Sequence, residues 1–286
     1  MSGLRDIKRR ITSVKNTQQI TKAMKMVAAS RLRRSQESII AARPYSNKMN
    51  DVLASLALHA RRTAHPLLEK RAVIKNSGLL VVASDRGLCG GFNSNLIREA
   101  RNFIEFHDSE NLELVVVGRK AFDYFRRRPT RVINSYVDIF SPLELKTARQ
   151  IAQEITDLYT KGVLDEVYMV YNEFKSVMSQ TPTIVKLLPI EPFGEEVKHA
   201  VEYIYEPDSS NTLNVLLPRH IEIQIFRALL ESQASEFGAR MTAMDTATNN
   251  AGDLINKLTL IYNRARQASI TKEILEISGG AEALKG

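Results

Sequence analysis

Residues 237–269 read FGARMTAMDTATNNAGDLINKLTLIYNRARQAS, and this stretch decides the fold. Every third or fourth residue along it is apolar or small. The set consists of Phe237, Met241, Met244, Thr248, Ala251, Ile255, Leu258, Tyr262, Ala265 and Ser269. Steps of four and three that alternate over several heptads are typical of a left-handed coiled coil. The sequence therefore predicts a long helix that packs lengthwise against a second helix.

The partner helix is predicted at the other end of the chain, where neither glycine nor proline occurs between Gly3 and Pro44. Apolar residues recur there every three or four positions, which is a helix signal. They are Leu4, Ile7, Ile11 and Val14, and then Ile20, Met24 and Val27 in a shifted phase. The two runs are separated by a polar break of Thr17, Gln18, Gln19 and Thr21. A helix over residues 4–60 would span roughly 85 Å at ~1.5 Å per residue. Two such helices favour an intramolecular antiparallel coiled coil, with an ordinary helical bundle as the alternative.

The middle of the chain has the pattern of an α/β domain. Residues 79–83 and 112–117 are mainly apolar runs, as expected for strands buried on both faces. Helical periodicity at 93–107, 120–127 and 143–159 alternates with further strands at 132–136, 167–171 and 183–188, which predicts a mostly parallel sheet. The expected organisation is an N-terminal long helix over 1–74, an inserted Rossmann-like α/β domain over 75–195, a connection over 196–217 and a C-terminal long helix over 218–286.

A glycine-rich loop, SDRGLCGGFN at residues 84–93, follows the first predicted strand. Backbone N–H groups before a helix can bind phosphate, so a nucleotide site is one interpretation. The glycine spacing matches neither the dinucleotide nor the P-loop pattern, and Gly118-Arg119-Lys120 stands where an acidic ribose ligand would be expected. A tight structural turn is the other interpretation.

Charge and composition narrow the possible functions. Residues 1–75 carry 17 Lys and Arg against 4 Asp and Glu, whereas the rest of the chain has an excess of acidic residues. Such a basic segment suits nucleic acid, anionic lipid or an acidic protein surface. The single cysteine, Cys89, excludes an internal disulfide and a thiolate metal cluster. The five histidines show no metal-ligand spacing, no apolar run is long enough to cross a membrane, and the first residues lack the apolar core of a signal peptide.

Several motifs resemble the gamma subunit of the F-type ATP synthase, in the same order along the chain. They are ITKAMKMVAAS at 20–30, SDRGLCGGFN at 84–93, YEPD at 205–208, ARMTAM at 239–244 and YNRARQASITKEI at 262–274. The resemblance extends over the whole chain. It implies a rotor shaft, in which the two terminal helices form a coiled coil inside the hexamer of alternating alpha and beta subunits.

The resemblance also implies what surrounds the shaft. The α/β domain would stand with the epsilon subunit on the ring of membrane c subunits, and proton- or sodium-driven rotation of that ring would be coupled to ATP synthesis at the beta subunits. The chain itself would hold no catalytic residue, no cofactor and no metal. Membrane contact would come only through the complex, at the cytoplasmic face of a bacterial inner membrane. A basic coiled-coil protein that binds nucleic acid is the alternative.

Contact positions follow from the matching motifs. The resemblance implies contact with the alpha/beta hexamer at Met24, Arg240, Arg266, Gln267, Thr271 and Glu273. It implies contact between the foot and the c ring or epsilon at Tyr203, Tyr205, Glu206 and Asp208. Because the coiled-coil pattern ends at Ser269, the C-terminal helix is expected to extend beyond its partner and to meet the hexamer alone. Chloroplast members carry an extra segment with two cysteines, and the single cysteine here indicates that this redox switch is absent.

Overall fold

The computed structural model describes residues 2–59, 65–107, 109–190 and 209–283. Two long helices, α1 (Ser2–His59) and α5 (Ser209–Ala283), lie at the two ends of the chain. Between them are the helices α2 (Phe92–Phe106), α3 (Arg119–Phe125) and α4 (Leu145–Thr160), and the strands β1 (Asn76–Val82), β2 (Asn111–Val117), β3 (Arg131–Tyr136), β4 (Glu166–Phe174) and β5 (Gln180–Leu188). The chain divides into a coil unit, residues 1–27 and 241–286, and an α/β unit, residues 28–240.

In the coil unit, the first part of α1 pairs with the last part of α5. Three contacts define the direction of the pair: Gln18 and Thr21 with Thr248, and Lys25 with Asp245. Residue numbers rise along α1 as they fall along α5, so the pair is antiparallel. The predicted antiparallel coiled coil is confirmed.

The α/β unit is built on a five-stranded sheet with the order β3-β2-β1-β4-β5. β1 lies in the centre and pairs in parallel with β2 and β4, whereas β5 is antiparallel to β4 at one edge. Alternate residues of a strand point to opposite faces of the sheet, and helices cover both faces here, so the central strands are apolar at successive positions. Leu79 and Val81 pack with α2 and α3, while Leu80 and Val82 pack with α4 and the first part of α5. The Rossmann-like domain is confirmed.

The helix bounds differ from the expected ones at two places. α1 ends at His59 rather than near residue 74, and a short 3₁₀ turn, Pro66–Leu68, precedes the sheet. α5 begins at Ser209 and includes Pro218, although the connection was expected to continue to residue 217. Leu213, Leu217 and Ile221 are buried on either side of this proline. Their burial offsets the roughly 3 kcal/mol that proline costs inside a helix.

Candidate partner-binding surfaces

The seam of the coil unit follows the predicted pattern along α5. From residue 253 to residue 270, all of which the structure describes, five residues are half-buried and the others are exposed. The five are Ile255, Leu258, Tyr262, Ala265 and Ser269. All five belong to the predicted heptad set, so the register of α5 is confirmed residue by residue.

The seam of α1 is different from the prediction after Val14. Ile20 and Val27 were expected to continue the apolar stripe, but their exposed fractions are 60% and 54%. The protected positions are instead Gln18, Thr21 and Lys25, which keep the phase of the preceding heptads. The predicted phase shift was therefore wrong for Ile20 and Val27. Polar residues occupy the seam because α5 offers them hydrogen-bonding partners at the same level.

These partners form a polar layer, defined here as Gln18, Thr21, Lys25, Asp245 and Thr248. The hydroxyl oxygens of the two threonines lie 2.8 Å apart. The amide nitrogen of Gln18 donates to the backbone oxygen of Thr248 at 3.3 Å, and the ammonium of Lys25 lies 2.6 Å from a carboxylate oxygen of Asp245. Each polar group that enters the seam thus has a partner, which removes most of the penalty for placing it there.

The members of the polar layer differ in burial and therefore in energetic weight. Thr21 is buried, so its bond to Thr248 is made largely out of water. The side chains of Lys25 and Asp245 remain 41% and 47% exposed, and exposed ion pairs contribute only about 0–1 kcal/mol. A Cβ at Gly252 would lie 3.1 Å from the amide nitrogen of Gln18, so the glycine leaves room for that side chain.

The glycine-rich loop of the α/β unit bonds mainly to its own residues. The Ser84 hydroxyl donates to the backbone oxygen of Arg86 at 2.7 Å, and the backbone N–H of Ser84 donates to the side-chain oxygen of Asn93 at 3.1 Å. Cys89 is buried against Ala239, and burial raises the pKa of its thiol, with the charge of nearby Glu236 adding to the effect. A buried thiol with a raised pKa is a poor nucleophile. The geometry supports the structural-turn interpretation of this loop.

The Asp85 side chain and the close packing at Gly118 hold the glycine-rich loop in place. One carboxylate oxygen of Asp85 accepts the backbone N–H groups of Arg119 and Asp138, each at 2.9 Å. Gly118 has φ +88°, and a Cβ there would lie 2.4 Å from the backbone oxygen of Ala83. The corner where the sequence lacks an acidic ribose ligand is thus filled by close backbone packing.

Arg240, expected to contact the hexamer, is used within the α/β unit. Its guanidinium donates to the backbone oxygen of Gly87 at 3.0 Å and to a carboxylate oxygen of Glu236 at 2.6 Å. Both side chains of this ion pair are about nine-tenths buried. Sequence reasoning missed this role, although the i, i+4 spacing of an acid and a base on a helix signals the pair. A contact of Arg240 with a partner stays a prediction.

The other predicted contact residues lie either on the two long helices of the coil unit or outside the described residues. Met24 is half-buried beside the polar layer, while Arg266, Gln267, Thr271 and Glu273 are exposed on α5. Every residue from Ile270 to Ala281 is exposed, in agreement with a helix that extends beyond its partner. The predicted foot residues lie outside the described residues; they are Tyr203, Tyr205, Glu206 and Asp208.

A buried carboxylate at the amino ends of the strands was also missed. Glu166 is 3% exposed and accepts hydrogen bonds from the Lys186 ammonium at 2.9 Å and from the Tyr168 hydroxyl at 3.0 Å. His107 lies 2.8 Å from its other oxygen. Burial alone would raise the pKa of Glu166, but the hydrogen bonds from Lys186 and Tyr168 outweigh it and lower the pKa. The cluster is fully paired and ties β4 to β5.

Among the described residues, no group of three or more His, Cys, Asp or Glu side chains could hold a metal ion. Within the same ranges, no helix is both long enough and apolar enough to cross a bilayer.

Comparisons with known proteins cover the whole chain. A family described as ATP synthase matches residues 3–284. The chain is 53% identical over 289 residues to the ATP synthase gamma chain of Geobacter sp. (strain M21), and 52% identical over 286 residues to that of Desulforamulus reducens, with all of both chains covered in each case.

Solved structures resemble the chain in fold. A chain of the Tetrahymena thermophila mitochondrial ATP synthase central stalk and c ring has a TM-score of 0.61 and 26% identity, covering 80% of this chain and 99% of that one. A chain of the Euglena gracilis mitochondrial ATP synthase has a TM-score of 0.68 at 20% identity, covering 99% and 95%. A full-length family match, relatives above 50% identity and a shared fold lead to one conclusion: the chain belongs to the ATP synthase gamma chain family.

Proposed function

We propose that this chain is the rotating central shaft of an F-type ATP synthase. The coil unit would stand inside a hexamer of alternating alpha and beta subunits. The α/β unit would stand on the c ring with the epsilon subunit. The observation that carries the proposal is the antiparallel coil in a chain that aligns over its full length with bacterial ATP synthase gamma chains. Chains of a central stalk and c ring, and of an OSCP/F1/c-ring assembly, share its fold.

The chain would act without catalytic residues of its own. Its function would be to carry rotation from the c ring to the hexamer, while nucleotide chemistry takes place on the beta subunits. The buried thiol of Cys89 and the loop around it, which bonds mainly to its own residues, support this assignment. By the same proposal, the complex lies at the cytoplasmic face of a bacterial inner membrane, which the chain touches only through its partners.

Rotation can order three identical sites only if the shaft is asymmetric. Each face of the shaft must contact open and closed beta subunits differently, so that turning the shaft shifts their populations. The expected contacts at Met24, Arg240, Arg266, Gln267, Thr271 and Glu273 belong to this proposal. Exposed ion pairs contribute about 0–1 kcal/mol each, so the torque would be spread over many contacts.

Co-expression with alpha and beta subunits tests the proposal. We expect a purified complex whose mass corresponds to three alpha, three beta and one copy of this chain. Its ATP hydrolysis should turn a bead attached to the α/β unit. An active hexamer that excludes the chain would refute the shaft assignment.

The nucleic-acid alternative has a separate signature. It requires retention of duplex DNA by the chain, with an affinity that falls steeply as salt is raised. Membership of the family does not favour this alternative. Weak retention of DNA that does not depend on salt or on the DNA sequence would not support it.

A further inference from the structure

The exposed surface of the coil unit has two chemically different flanks. In a paired helix, the residue before each seam position points to one side of the pair, and the residue after it points to the other side. On α1, the residues before the seam positions from 14 to 28 carry no charge. They are Ser13, Thr17, Ile20, Met24 and Val27. The absence of charge is unusual here, because residues 2–27 contain seven Lys and Arg and one Asp.

The matching face of α5 is uncharged as well. An antiparallel pair is related by a two-fold axis perpendicular to both helices, so residues that precede the seam on α5 point to the same flank. At the level of the polar layer these residues are Ala243, Ala247, Asn250 and Leu254. Leu254 is 45% exposed, and Ile20 and Val27 are more exposed still. Both helices therefore build one surface, called here the uncharged flank.

The opposite side, called here the lysine flank, carries the residues that follow the seam positions. It includes Lys15, Lys22 and Met26 on α1, and Met26 is 60% exposed. Lys15 and Lys22 have no carboxylate partner in the part of the chain that the structure describes. The polar layer between the flanks bonds the two helices directly, so each flank is a surface shared by both.

We infer that the uncharged flank docks against an uncharged, apolar part of the inner wall of the alpha/beta hexamer. This inference rests on the proposed function, which it refines by assigning one chemistry to each side of the shaft. Burial of exposed isoleucine, valine and leucine side chains against an apolar surface is favourable in free energy, because it removes them from water. A partner carboxylate buried on this flank would find no cation and would lose its hydration, whereas the lysine flank can receive acidic groups.

Adjacent residues on α1 provide a matched test. Val27 and Met26 are both exposed and apolar, but they lie on opposite flanks. Val27→Glu and Met26→Glu change the net charge equally, and glutamate favours a helix. We expect Val27→Glu to raise the apparent Kd of the full chain for the alpha/beta hexamer at least tenfold, and Met26→Glu to change it less than twofold. Ile20→Glu and Gln19→Glu repeat the comparison one heptad earlier on α1. Val27→Leu keeps the position apolar and should bind the hexamer as the wild-type chain does.

The outcomes separate this inference from the proposed function. Equal losses on both flanks, or no loss on either, would overturn the inference while an intact wild-type complex leaves the shaft assignment standing. Failure of the wild-type chain to bind the hexamer would overturn both. Circular dichroism of each full-length variant verifies its fold. If Val27→Glu unfolds the chain, the neutral pair Val27→Gln and Met26→Gln is compared by the same criterion.

Discussion

Replacing Arg240 with methionine separates its role inside the chain from any role at a partner. The guanidinium holds the glycine-rich loop through the backbone oxygen of Gly87 and neutralises Glu236 at 2.6 Å. The Glu236 side chain is only 7% exposed, so the substitution leaves an almost buried carboxylate without its cation. Methionine preserves most of the aliphatic packing of the arginine stem.

The expected cost follows from this burial. Removing one partner of a buried ion pair destabilises by roughly 3–5 kcal/mol, because the remaining charge stays desolvated. A second substitution, Glu236→Gln, removes that charge, and we expect it to recover more than half of the loss. Burial already raises the pKa of Glu236, and the charge of Arg240 opposes the rise. In Arg240→Met the folded-state pKa of Glu236 therefore rises further, so the loss of unfolding free energy relative to the wild-type chain should grow as pH is raised from about 5 to 8.

Urea denaturation of the full chain, followed by circular dichroism at both pH values, measures these quantities. Arg33→Met is the matched control, because Arg33 and Glu37 form an i, i+4 pair with side chains 83% and 63% exposed. That control should cost less than about 0.5 kcal/mol. Equal losses for Arg33→Met and Arg240→Met, or additive losses in the double variant, would refute the reasoning. A stable double variant with reduced coupling of ATP hydrolysis to rotation would show that Arg240 also contacts a partner.

Three further predictions concern other parts of the chain. Met24→Lys places a charge on the uncharged flank, so it should weaken binding to the alpha/beta hexamer in the same direction as Val27→Glu, because the ammonium would lose hydration against an apolar wall; wild-type affinity would contradict it. Alanine at both Arg266 and Gln267 should weaken assembly or ATPase activity without changing the helicity of the chain, since hydrogen bonds to desolvated charged groups contribute about 1.5–3 kcal/mol; wild-type assembly and turnover would exclude a contact with the hexamer there. Burial lowers the pKa of His220 to about 4. The unfolded chain therefore binds the proton first below about pH 6.5, and stability should fall by about 2 kcal/mol between pH 7 and 5. His220→Gln should flatten this dependence, and denaturation curves at the two pH values decide the matter.

Prediction from sequence succeeded where one helix face or one strand carries its own signal. The α5 heptads from Ile255 to Ser269 are apolar or small throughout, and burial in the structure follows them residue by residue. The strands around Leu79 and Leu114 are likewise recognisable because a sheet covered on both faces needs continuous apolar runs.

Prediction failed where the partner decides which residue is buried. Ile20 is apolar and Thr21 is polar, so an apolar stripe naturally includes Ile20. The structure buries Thr21 instead, because Thr248 on α5 lies 2.8 Å from its hydroxyl. Arg240 is a similar case, since its ligands Gly87 and Glu236 come from a distant loop and from the preceding turn of α5. Single-helix periodicity contains no information about such partners.

The unpaired end of α5 has a consequence for the thermodynamics of assembly. From Ile270 to Ala281 every residue of α5 is exposed, no second helix among the described residues lies against it, and Lys272 contacts Glu276 at 3.5 Å along the same helix. Most helical stability in proteins comes from tertiary packing, so this unpacked end of a longer helix is expected to open easily in water. By the proposed function, association at this end would include the free energy of ordering the helix and would bury Ile274 and Ile277, which are now exposed, at the same step. Calorimetry should record this coupled folding as a heat-capacity change more negative than rigid docking of the same surface would produce.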